Sequence, residues 1–222
     1  MEFGDELRVK AMSFVTSLVR IKRRAIIKLK LVTPLLSWLF PIMCTLRGDE
    51  DESELYEENE AHSPAAVAAQ VLDCMAMNLA PEKLMPAVCV LVEQELTSAD
   101  PSHRAAAYMA MAVVAEGCAD YIMSRYSRRL LAGFDASVSL SHVTCCYRDV
   151  LLMFRLLRPW LQHVYKGLED SAELVHNVAL FAMGQFAECL QPKISKFSKE
   201  LIPLLFQNIA KAQANIDKNA EG

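Results

Sequence analysis

Apolar residues recur along much of this chain at intervals of three and four, the period of a helix with one buried face. The clearest run is "DSAELVHNVALFAMGQFAECLQP" (170–192), where Val175, Val178/Ala179, Ala182/Met183, Phe186 and Leu190 form one stripe. Asp170 with Glu173 three residues later reads as an N-cap and capping-box pair, and Pro192 ends the helix. Ala179 and Gly184 are smaller than a lone surface helix needs. They predict a helix packed tightly between two neighbours, an arrangement that offsets the roughly 1 kcal/mol a helical glycine costs.

The pattern repeats. Shifting the sequence by 72 places "RAAAYMAMAVVAEGC" (104–118) over "HNVALFAMGQFAECL" (176–190), so that Ala107 meets Ala179, Met111 meets Met183, Val114 meets Phe186 and Cys118 meets Leu190. Each is preceded by an antecedent helix carrying a proline: Pro86 in "EKLMPAVCVLVEQEL" (82–96) and Pro159 in "RLLRPWLQHVYKGLE" (155–169). Pro203 in "KELIPLLFQNIAK" (199–211) and Pro34 in "KLVTPLLSWLFPI" (30–42) mark two more. These prolines are expected in opening turns, where a missing N–H is harmless. Asp100-Pro101 should start one second helix. The unit is a helix pair that cannot bury its faces alone, so the expected fold is an all-α solenoid, a superhelix of stacked antiparallel pairs.

Pro159 to Pro203 is 44 residues, near the period of about 40–47 typical of HEAT and armadillo arrays. Pro34 to Pro86 is 52, and Pro86 to Pro159 is 73. The surplus divides the chain into helices at 1–48, an acidic loop at 49–63, helices at 64–126, an insertion at 127–155, and helices with a C-terminal tail at 156–222. Repeated "RLL" flanks and the glycine and serine of "GFDASVSLSHVT" support the insertion, whose back half, "CYRDVLLMF" (146–154), can prolong the helix through Pro159.

Composition agrees with a helical core: 53 % of residues are hydrophobic and only seven are glycine. Seven cysteines, most in apolar helical context, read as reduced thiols filling space. No signal peptide opens the chain, since Asp5 and Glu6 precede any apolar run, and an intracellular setting is expected. The stretch at 31–46 is shorter than a membrane span and is interrupted by Pro34 and Pro41, so no membrane insertion is expected.

The net charge of −4 conceals two poles. Residues 1–48 carry nine Lys and Arg against three acids; residues 49–60, "DEDESELYEENE", carry eight acids and no base. That acidic stretch is a solubilising loop or a tether for basic partners, acting through Asp49, Glu50, Asp51, Glu52, Glu54, Glu57, Glu58 and Glu60. The run "RIKRRAIIKLK" (20–30) interleaves cations with Ile21, Ala25, Ile26, Ile27 and Leu29. It is either an ordinary repeat helix with a charged face or a nuclear localisation or nucleic-acid element. No aromatic platform accompanies it, so no direct nucleic-acid contact is expected.

"YKGLEDSAELVHNVALFAMGQFAECLQPKISKFSKELIPLL" (165–205) resembles the HEAT repeats of the importin-β (karyopherin-β) family of nuclear transport receptors. The most specific element is "GLED…V-x-N-x-ALFA-x-GQFAE-x-LQP", and "AAQVLDCMAMNLAPEKLMP" (68–86) beside an acidic loop adds to it. The resemblance covers most of 1–125 and 156–210. His176 stands where the HEAT arginine after the valine usually lies, and 127–155 has no counterpart. The family implies second helices lining a concave face and passage between cytoplasm and nucleus through the pore, with nucleoporins as partners. It further implies basic cargo, histones and ribosomal proteins for this branch, and release by Ran-GTP. On this reading the chain is a fragment that opens inside a second helix and ends after a first one. A HEAT or armadillo scaffold, or a regulatory subunit of another complex, is the alternative.

Nothing in the sequence has the pattern of an enzyme. There is no Gly-rich phosphate loop, no Gly-x-Ser-x-Gly and no His-Glu-x-x-His. "HVTCC" (142–146) lacks a second ligand cluster, and His103, His163 and His176 lie in helical patterns. The expectation is a binding protein with no catalytic residue, no cofactor and no metal.

Overall fold

The computed structural model describes residues 4–45, 63–119, 121–122, 160–190, 198–199, 201–203, 205–207 and 209–210. Among them every regular element is a helix: α1 (Asp5–Lys28), α2 (Val32–Met43), α3 (Pro64–Asn78), α4 (Pro81–Glu95), α5 (Pro101–Gly117), α6 (160–168) and α7 (Glu173–Leu190). The chain divides into two compact units, Met1–Phe186 and Ala187–Gly222. In the second, residues 198–199, 201–203, 205–207 and 209–210 are helical, with Leu201 buried and Ile202, Phe206 and Ile209 exposed.

The first unit is a stack of helix pairs in two layers. α3 lies between α1 and α5 in one layer, while α2 packs on α3 and α4, and α4 packs on α5, forming the other. A helix flanked on both sides must be apolar almost all round. α3 accordingly buries Ala65 through Ala69, Val71, Leu72, Cys74, Met75 and Ala76, and α5 buries Ala105 through Ala112 with Val114 and Ala115. The alanines keep these helices thin, so that three of them stand side by side. α1, at the edge of the described stack, buries only Met12, Val19 and Ile26, one residue in seven.

Local signals place the helix ends. Pro64, Pro81 and Pro101 each open a helix. Ser63 Oγ accepts from the Ala66 N–H at 3.4 Å, and Asp100 Oδ1 from the Ser102 N–H at 2.9 Å. Pro86 departs from its expected place in an opening turn: Pro81 takes that position, and Pro86 sits inside α4 on its exposed side. Pro34 lies in the first turn of α2 as expected, Pro203 falls within helical residues 201–203, and Pro159 lies outside the described residues. α1 is kinked at Lys22 (φ −118°, ψ 30°) and closes on Lys30 in the left-handed region (φ 55°). There the Leu31 N–H bonds the Ile26 carbonyl and the Lys30 N–H the Ile27 carbonyl, the double closure of a Schellman turn. No helix among the described residues is long and apolar enough to cross a membrane.

α7 buries Val175, Val178, Ala179, Ala182, Met183 and Phe186, the stripe read from the sequence. Phe186 meets Trp160 of α6 edge to face, ring centroids 5.6 Å apart at 89°.

Candidate interaction surface

The joint between α5 and the α6–α7 pair is built on Arg104, one turn into α5. Its Nε and Nη2 donate to Asp170 Oδ2 and Oδ1, both at 2.9 Å, across 66 residues of sequence. Its Nη1 donates to the Ser98 and Ala99 carbonyls, each at 3.0 Å. One guanidinium therefore ties the loop before α5 to the turn before α7, with the bidentate geometry that suits arginine better than lysine. Asp170 Oδ1 also accepts from the Ala172 N–H at 3.0 Å. Hydrogen bonding from Arg104 foremost holds the Asp170 carboxyl below its usual range, against a smaller opposing effect of burial.

The expected capping box is only half present. Asp170 does orient the chain ahead of α7, but its own N–H goes to the Gly167 carbonyl at 3.2 Å, and its carboxylate is committed to Arg104. Under the 72-residue shift, Arg104 falls on His176. The histidine turns back inside its own helix pair, donating from Nδ1 to the Leu168 carbonyl at 3.0 Å. Arginine and histidine at matching positions thus do different work: one links repeats, the other closes a turn.

Tyr108 completes the joint. Its hydroxyl donates to the His163 carbonyl at 2.8 Å, and its ring lies over Gly167. A Cβ on Gly167 would come within 2.7 Å of both Ala179 Cβ and Tyr108 Cζ. Burial first, then the charge of Asp170, pushes the Tyr108 phenol up to about 12. Burial, with Lys166 adding to it, lowers His163.

Close approach is real, therefore, but the sequence located only half of it. Ala179 is fully buried, as expected. Gly184 is exposed, and no described residue lies within 4 Å of where its Cβ would stand. Among the described residues the glycines in tight contact are Gly167 and Gly117, whose Cβ would fall 2.5 Å from the Ala76 carbonyl carbon. Helical phase alone does not say which side of a small residue has a neighbour.

Away from the joint, Asp73 of α3 lies near Glu116 of α5 and Arg20 of α1. Burial, then Glu116, raises the Asp73 carboxyl, and Arg20 partly offsets them. At the loop end of the same layer His103 Nδ1 lies 2.7 Å from Glu95 Oε2. Cys44 and Cys118 are pushed up to about 12 and about 11, mainly by burial, so both remain protonated space-fillers. Cys44, Cys74, Cys89, Cys118 and Cys189 are all free thiols. Among the described residues no three His, Cys, Asp or Glu side chains converge to hold a metal ion. What the arrangement offers is surface: a helix face of mixed charge fixed by rigid joints. The acidic residues Asp49, Glu50, Asp51, Glu52, Glu54, Glu57, Glu58 and Glu60, the 127–155 insertion and the "HVTCC" motif lie outside the described residues.

Over 211 residues, 91 % of its length, the chain is 37 % identical to importin-4 of Mus musculus. The chain belongs to the importin-β family. It spans 17 % of the length of that importin-4. No protein-family model matches it. Two solved structures show the same fold across 90 % of the chain, each at 19 % identity and covering 17 % of the solved chain. They are the karyopherin Kap121p bound to the extreme C-terminus of the protein phosphatase Cdc14p (TM-score 0.66) and Kap121p bound to RanGTP (TM-score 0.64). The stacked pairs of this importin-β family member are therefore HEAT repeats. The 72-residue self-alignment contained a signal pointing to Arg104, since it sets that residue over His176.

Proposed function

We propose that this chain is part of a nuclear transport receptor. It takes up basic cargo of the histone or ribosomal-protein class, passes between cytoplasm and nucleus by engaging nucleoporins, and releases cargo to Ran-GTP. The observation that carries this reading is the 37 % identity to importin-4 along nine-tenths of the chain. The solved relative bound to RanGTP is in keeping with it. Cargo capture falls to the acidic segment. Eight carboxylates between Asp49 and Glu60 face no base in their own stretch, and their field reaches a basic tail over about 8–10 Å at ordinary salt. Binding, with no chemical step, is the proposed activity, and the rigid joint at Arg104 holds the helix layers while the charged segment engages its partner.

The test is a titration of a labelled histone-tail peptide against the chain and against a variant with all eight acids changed to Asn or Gln. The neutralised variant should bind more weakly and with a shallower salt dependence. Equal affinity at low and moderate salt would remove the acidic segment from the proposal. Cargo that stays bound when Ran-GTP is added to the longest form of the protein would remove receptor function itself.

A further inference from the structure

We draw no further inference here: the strongest candidate, the side-chain cluster of Asp73 on α3 and Glu116 on α5 beside Arg20 on α1, is an acidic pair with a nearby cation, and nothing in the structure shows what ligand it would hold.

Discussion

Two glycines of similar appearance in the sequence should respond to alanine with opposite signs. At Gly117 the added methyl would stand 2.5 Å from the Ala76 carbonyl carbon, 2.7 Å from its oxygen and 2.8 Å from the Met77 nitrogen. Ordinary carbon contacts lie near 3.5–4.0 Å, so α5 must withdraw from α3 by about 1 Å. The atoms in the way are backbone and cannot swing aside as a side-chain tip would. Overpacking of this kind costs about 1–3 kcal/mol, more than the helix-propensity gain of alanine at the last helical position returns. At Gly184 the methyl meets no described residue, and the site lies well inside α7. There, restricting the unfolded chain should stabilise by about 0.4–1 kcal/mol. In a chain of this size 1 kcal/mol moves the melting temperature by about 2–4 °C. Gly117→Ala should therefore lower Tm by several degrees and Gly184→Ala should raise it by about 1–4 °C, measured by circular dichroism on the whole chain. Shifts of the same sign would mean that the α3–α5 contact is not closed as described, or that Gly184 is covered.

Asp170→Asn should destabilise the fold at neutral pH, by about 1.5–3 kcal/mol if the charge-assisted bonds to Arg104 behave normally. Because the folded carboxyl is held low, that contribution is full above the unfolded carboxylate range and fades as pH falls through the folded value. Urea titrations of wild type and variant should converge in acid, and a constant gap would contradict the pairing. Asp73 has the opposite sign: its folded carboxyl is raised, so ionising it opposes folding, and the penalty is relieved as pH drops through its titration. Asp73→Asn should stabilise at neutral pH, and Glu116→Gln should move the Asp73 midpoint downward in an NMR titration; an unmoved midpoint would exclude the coupling. Deleting Ser127 to Phe154 should leave helicity intact and Tm equal or higher, whereas a large loss would make that segment integral to the core.

Periodicity carried much of the fold. The α7 stripe was legible because Val175, Val178, Ala182 and Phe186 repeat on one face whatever they pack against. Proline was legible as a helix marker but not as a position, since Pro81 and Pro86 both fit the start of α4 and only the backbone path chooses between them. Tight contacts were not legible where the second partner is distant in sequence. Gly117 is small because of Ala76, and Gly167 because of Tyr108, and no local pattern links either pair. Arg104 looked like one more cation on a helix until Asp170, 66 residues away, came into contact with it. The candidate surface was legible as charge, in the acidic and basic poles, but its joint depended on pairs that only the fold brings together.

The Arg104–Asp170 pin also bears on how such chains can vary in length. It closes a loop of 66 residues, and closure entropy grows only with the logarithm of loop size. Adding or removing the 29 residues of 127–155 changes that cost by about 0.5 kcal/mol. A change at either end of the pin removes two charge-assisted bonds at once. A change in the length of the connection should therefore cost the stack less than a change at either anchor.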